Sequence, residues 1–185
     1  AGLAASEPVA ADSPSDLIGQ SSAYMTVVDD TLTKVAAGQG LGLKALIAAN
    51  PGVDPWLPGA GDRLVLPTAH LVPNGPHEGI VINLPEQRLY QFLGDGTVRS
   101  FPVAMGAGPC ELAPGETTVK RRRRLPSWRP SARVRSLRPD LPAIVPPGDR
   151  NPLGKYAVDL DLPAAIIHGA DRPFSDRPEK TFGCI

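Results

Sequence analysis

The sequence predicts a mainly β chain, α+β overall, in which a small βααβ unit precedes a longer run of short antiparallel strands. Three observations carry that expectation. Proline supplies 22 and glycine 19 of the 185 residues, which cuts the chain into short elements joined by fixed loops and leaves helix a minority. Apolar residues at helical spacing occur in two short stretches before Pro51, whereas β-branched and alternating runs take over after His77. No apolar run approaches the roughly 18 residues that would span a bilayer, so no transmembrane segment is expected.

Residues 1–20 are small, polar and proline-containing, without periodicity, and are expected to form a flexible amino-terminal segment. The opening Ala1-Gly2-Leu3-Ala4-Ala5 looks like what is left around a signal-peptidase cut, which gives the expectation of an exported protein. From Tyr24 the character changes. Asp29-Asp30-Thr31 offers N-cap side chains ahead of Leu32, Val35 and Ala36, an apolar i, i+3, i+4 face, and Gly38 with Gly40 stops that helix. A second helix through Leu43, Leu46 and Ile47 has to end at Asn50-Pro51, because the residue before a proline is pushed out of the helical region. After the Pro58-Gly59-Ala60-Gly61-Asp62 turn, Arg63-Leu64-Val65-Leu66 reads as a strand closed by Pro67.

Past His77 the period becomes that of strands. Gly79-Ile80-Val81-Ile82-Asn83-Leu84 is β-branched, Arg88-Leu89-Tyr90-Gln91-Phe92 alternates, and Pro85-Glu86-Gln87 turns between them. Gly94-Asp95-Gly96 makes the next turn, before a strand from Val98 to Met105. Tyr156-Ala157-Val158 and Ala164-Ala165-Ile166-Ile167 supply further strands, the second running straight into His168-Gly169.

Chemistry is carried by few residues. Lys plus Arg number 19 and Asp plus Glu number 19, a formal net charge of zero that gives no compositional case for a nucleic-acid binder. Cys110 and Cys184 are too few for a disulfide scaffold and lack zinc-ligand spacing. Cys184 follows a glycine and stands 16 positions after His168, which ends an apolar strand. A thiol attacks as thiolate and an imidazole can take its proton, so the pair is a candidate nucleophile and base; a structural histidine and a buried thiol would read the same way. Cys110, in Gly108-Pro109-Cys110-Glu111, has no such partner and reads as a loop thiol, with a disulfide to Cys184 as the alternative.

Two resemblances sharpen this reading. Asp30-Thr31-Leu32, Ala45-Leu46-Ile47-Ala48-Ala49-Asn50-Pro51 and the Pro58-Gly59 turn leading to Leu64-Val65-Leu66-Pro67 resemble the lysin motif (LysM), a module that binds glycans containing N-acetylglucosamine. Asp29 stands where many such modules carry glycine. Further on, Gly79 to Pro85 with Arg88-Leu89-Tyr90, Gly115-Glu116-Thr117-Thr118-Val119, Pro126-Ser127-Trp128-Arg129-Pro130, Asn151-Pro152-Leu153-Gly154 with Tyr156-Ala157, Ile167-His168-Gly169 and Gly183-Cys184-Ile185 together look like the catalytic domain of the L,D-transpeptidases. These are cysteine enzymes that remodel bacterial peptidoglycan. The resemblances divide the chain into a flexible segment 1–20, a LysM-like module 21–72 and a β-sandwich-like transpeptidase domain 73–185. The family often reads Ser-His-Gly-Cys where this chain has Thr181-Phe182-Gly183-Cys184, and it continues with an arginine after the Cys-Ile pair, so a carboxy-terminally incomplete domain is expected.

The resemblance implies Cys184 as nucleophile, His168 as base, the Gly169 carbonyl orienting the imidazole, and backbone N–H groups at Gly183 and Cys184 stabilising the oxyanion. It places Tyr156, Thr181 and Trp128 at the substrate. Implied partners are peptidoglycan glycan strands and stem peptides, with a second stem or the lysine of a wall-anchored lipoprotein as acceptor, in the periplasm or cell envelope. No metal, organic cofactor or nucleic acid is implied. A hydrolase on the same thiol, and a non-catalytic LysM wall-binding protein, are the alternatives. Lys120-Arg121-Arg122-Arg123-Arg124 opens a stretch to Arg138 that holds nine of the 19 basic residues and no acid. It is expected to be a solvated face, at a position where the family has a loop excursion, with attraction for stem-peptide carboxylates as the second reading.

Overall fold

A computed structural model describes residues 16–104, 114–162 and 165–169. Four strand groups and three helices make up this part of the chain. Strand β1 (Leu17–Ile18) is followed by β2 (Ser22–Met25), α1 (Leu32–Gln39), α2 (Leu43–Ala49), β3 (Arg63–Leu66) and β4 (His70–Leu71). Then come β5 (Gly79–Asn83), β6 (Arg88–Phe92), β7 (Val98–Pro102), β8 (Val119–Arg124), α3 (Ala132–Leu137), β9 (Tyr156–Leu160) and β10 (Ile166–His168). The chain is thus mainly β with short helices, as its composition requires.

The strand–helix–helix–strand order expected between Tyr24 and Leu66 is present, with β2 and β3 paired antiparallel from Ser22↔Leu66 to Met25↔Arg63. Thr31 caps α1 by accepting a hydrogen bond from the Lys34 N–H (3.1 Å), and Gly40, at φ 63°, ends the helix in the left-handed conformation that suits glycine. Gly38 sits inside the last turn and does not stop it. Asp29 has φ 67°, which is why glycine suits that position; a short polar side chain is among the few others that tolerate it. Leu32, Val35, Ala36, Leu41, Leu46, Leu64 and Leu66 form the core of this unit. Asn50 ties it together: its Nδ2 donates to the carbonyls of Leu46 and Val65 (both 2.8 Å), and its Oδ1 accepts from the Val65 N–H (2.7 Å).

The meander β5–β6–β7 has the expected turns, with registers Asn83↔Arg88 and Phe92↔Val98. Its third strand stops at Pro102, short of the expected Met105, although the Val103 N–H still donates to the Gln87 carbonyl (2.8 Å). Arg88, Tyr90 and Phe92 share one face of the central strand, and all three are buried. Glu86 collects this face electrostatically. It accepts from the Tyr90 hydroxyl (2.7 Å) and lies 3.7 Å from the Arg88 Nε and 3.4 Å from the His70 Nδ1. Burial and then the Arg88 charge hold the His70 imidazole below its ordinary pKa.

Two expectations need correction. The flexible segment was drawn to residue 20, yet Leu17↔Leu71 and Ile18↔His70 pair as a small antiparallel ribbon, and Ile18 packs beside Val72, Tyr90 and Phe92. Apolar Leu17-Ile18 finds its partners 54 and 52 positions later, at Leu71 and His70, beyond the reach of local patterning. The basic run is not a loop excursion but β8, a six-residue strand paired with β9 and thence β10. Three of its charges are met by acids in and just after β9: Asp159 accepts from Arg121 Nε (2.9 Å) and Arg123 Nη2 (2.6 Å), and Asp161 from Lys120 (3.0 Å).

Candidate active site

His168 is the last residue of β10, held opposite Ala157 of β9, which in turn faces Arg123 of β8. Residues in one rung share a face of the sheet, so the imidazole lies on the side that carries Ala157, Arg123 and Asp159. Ala157, 1% exposed, is the small residue between the base candidate and the Arg123–Asp159 pair. Burial acts to raise the Asp159 pKa, but hydrogen bonds from Arg123 and Arg121 outweigh it and hold the carboxyl below its ordinary value.

The Nδ1 atom of His168 lies 2.6 Å from the carbonyl oxygen of Gly169. A carbonyl only accepts, so Nδ1 carries the hydrogen, and in the neutral ring Nε2 keeps the lone pair that can take a proton. Gly169 is fixed in turn by its N–H, which donates to the Tyr156 carbonyl (3.0 Å) and prolongs the β9–β10 ladder past the histidine.

Behind Gly169 lies a loop that sequence reasoning quoted without giving it a role. Asn151 is fully buried; its Nδ2 donates to the carbonyls of Pro126 (2.7 Å) and Pro146 (3.1 Å), and its Oδ1 accepts from the Leu153 N–H (2.9 Å). Trp128 and Val145 exchange reciprocal backbone bonds of 2.9 and 2.8 Å beside it. Gly154, at φ 64°, then brings its backbone against Gly169. A cleft of about 480 Å³ opens here, lined by Leu125, Asn151, Gly154, Lys155, Tyr156 and Gly169 among others.

The structure brings His168 and Gly169 into contact and joins Tyr156 to them through its backbone. The Tyr156 side chain neighbours Ala157 in the strand, so it points to the face opposite His168, where it is 61% exposed and lines the cleft. Trp128 is half-buried in the Val145 bridge. Thr181, Gly183 and Cys184 lie outside the described residues, as do Cys110, Ala164 and Met105. Sequence reasoning missed the Arg121–Asp159–Arg123 cluster; the signal was Asp159 and Asp161, alternating in and just after an otherwise apolar strand.

Comparison with known proteins follows the same residues. The family model for the L,D-transpeptidase catalytic domain, YkuD, matches residues 77–185. The probable L,D-transpeptidase YcfS of Escherichia coli is 37% identical over 181 residues, covering 92% of this chain and 57% of that protein. The probable L,D-transpeptidase ErfK/SrfK of Salmonella typhimurium is 37% identical over 179 residues, covering 92% and 58%. The probable L,D-transpeptidase YbiS of Escherichia coli is 36% identical with the same coverage, 92% and 58%. The chain therefore spans 57–58% of the length of these relatives.

Proposed function

This chain belongs to the L,D-transpeptidase family, and from that premise we propose that it transfers the acyl group of a peptidoglycan tetrapeptide stem to an amine through a cysteine thioester. The observation that carries the reading is the 2.6 Å contact between His168 Nδ1 and the Gly169 carbonyl oxygen: an acceptor there calls for Nδ1–H and leaves Nε2 as the basic nitrogen. Cys184 gives its proton to that nitrogen, and the thiolate attacks the carbonyl carbon of the meso-diaminopimelate residue. Backbone N–H groups at Gly183 and Cys184 meet the developing oxyanion. The imidazolium returns its proton to the departing amino group of the terminal D-alanine, leaving a thioester. An acceptor amine then attacks the thioester, its proton passing to His168 and on to the sulfur. The acceptor is a second stem peptide, giving a 3-3 cross-link, or the lysine of a wall-anchored lipoprotein. Thr181 and Trp128 contact the stems, and the site of action is the periplasm or cell envelope.

The βααβ unit binds the glycan. What supports a LysM-like role is the pairing of its two loops, where the Leu32 N–H donates to the Pro55 carbonyl (2.9 Å) and the Thr26 N–H to that of Asp62 (3.0 Å). On these loops Val28, Trp56 and Leu57 are 76%, 55% and 79% exposed, an apolar surface of the kind on which a sugar ring stacks. Incubating purified peptidoglycan fragments with the protein and weighing the products tests the activity. A dimer of stems supports transfer, a shortened monomer indicates a hydrolase, and unchanged fragments leave a wall-binding protein.

A further inference from the structure

We propose that Gly154 is a positioning residue for the imidazole of His168, acting through the Gly169 carbonyl. The inference rests on the reading of His168 as the base. A 2.6 Å hydrogen bond can orient a ring only if its acceptor is itself immobile, and here the acceptor belongs to a glycine, the residue with the freest backbone. Two contacts restrain it. One is the Gly169 N–H bond to Tyr156. The other is the backbone of Gly154, placed so that a Cβ on it would come within 3.0 Å of the Gly169 carbonyl carbon and 3.2 Å of both its Cα and its oxygen.

Those three neighbours are main-chain atoms and cannot swing aside as the end of a side chain would. One of them is the oxygen that holds Nδ1. Any side chain at 154 therefore pushes on the peptide that fixes the tautomer, which has to give by a few tenths of an ångström. Gly154 cannot yield either: its N–H donates to the Asn151 carbonyl (3.0 Å), and the fully buried Asn151 side chain binds the carbonyls of Pro126 and Pro146. The 151–154 turn is thus a rigid stop built behind a flexible residue. Positive φ is a separate demand. Gly40 shares it, at φ 63°, but nothing lies within 4 Å of where its Cβ would be, so it serves as the matched control.

The test is the proton position on His168 in the full chain, read by long-range ¹H–¹⁵N NMR of the neutral ring, together with the rate at which iodoacetamide alkylates Cys184, read by peptide mapping. The parent ring is expected to be protonated on Nδ1. Gly154→Ala should move a large share of the proton to Nε2 and slow alkylation of Cys184 at pH 7 tenfold or more, with little change at pH 10, where the thiol ionises unaided. Gly154→Asn, whose side chain tolerates the left-handed backbone but still adds a Cβ, should behave in the same way, and Gly40→Ala should leave the ring as in the parent. An Nε2-protonated parent, 154 variants that keep the parental tautomer, or an equal effect of Gly40→Ala would overturn the proposal. If the proton moves in both 154 variants while Cys184 reacts at the parental rate, the brace stands and His168 as base falls.

Discussion

At the scale of single residues, the reactive pair makes the sharpest demand. If Nε2 of His168 deprotonates Cys184, then His168→Ala should return the thiol to its unperturbed pKa, about 8.5, and slow alkylation by iodoacetamide strongly at pH 7 but little at pH 10. Peptide mapping of timed samples across that range measures it, with the parental rate advantage at pH 7 expected on Cys184 and not on Cys110; an unchanged rate at pH 7 would assign the activation to another group. Asn50 supports a second prediction. It is 6% exposed and makes three hydrogen bonds between the end of α2 and the middle of β3. Asn50→Ala leaves the Leu46 carbonyl and both Val65 backbone groups to find other partners in a buried place, at a cost of about 2–4 kcal/mol. Urea unfolding monitored by circular dichroism reads that number. Asn50 is legible in the sequence as the residue before a proline that ends a helix and as part of the LysM-like run 45–51. Its link to a strand 15 positions on is tertiary, and no local pattern carries it.

At the scale of elements, β8 shows what makes a strand out of residues that do not prefer one. Five consecutive cations have low β-propensity and no alternation, so neither signal read from sequence identifies the element. Pairing supplies what propensity lacks. Asp159 and Asp161 meet Lys120, Arg121 and Arg123, and a register shift falls between Val119 and Arg121, where Arg121 reaches Asp159 of β9 and Lys120 reaches Asp161 just after it. Arg122 and Arg124 alternate onto the other face, exposed, along an outer strand where positive charge discourages pairing with another chain. α3 was missed for a related reason, since Ser131 caps a single six-residue element with one buried residue, Val134. By contrast β5, β6, β9 and β10 are β-branched or alternating and could be read directly.

The Asp159 cluster also predicts a pH dependence. Its folded pKa is depressed, so its contribution to stability is present in full above the unfolded value of about 3.9 and is lost as pH falls through the folded value. Asp159→Asn should therefore be less stable than the parent at pH 7, and the gap between their urea midpoints should narrow on acidification below about pH 4. A gap that is as wide at pH 3 as at pH 7 would mean that the carboxylate charge contributes nothing there.

At the scale of the whole molecule, the described residues hold two separate cores. One comprises Leu32, Val35, Ala36, Leu41, Leu46, Leu64 and Leu66; the other gathers Val72, Tyr90 and Phe92 with Ile18, Val81 and Val98, and they have no residue in common. The ribbon formed by β1 and β4 lies in sequence on either side of the βααβ unit, yet its contacts run toward the meander: Ile18 to the cluster of Val72, Tyr90 and Phe92, His70 to Glu86. The boundary expected at residue 72 follows the end of the resemblance; the contacts of the ribbon give a rival boundary, and unfolding decides between the two. Residues 16–18 and 70–72 should therefore open with the second core. Leu46→Ala, which empties a fully buried site at a cost of about 2–5 kcal/mol, separates the two cases. Hydrogen exchange followed by mass spectrometry should speed up in peptides covering Ser22–Met25, α1, α2 and Arg63–Leu66, while Leu17–Ile18, His70–Val72 and the strands β5–β7 keep the parental rates. Faster exchange of the ribbon in step with α1 and α2 would place it in the first unit and restore the boundary at 72. Faster exchange throughout would mean that the two cores unfold as one, with the ribbon transmitting the loss from one to the other.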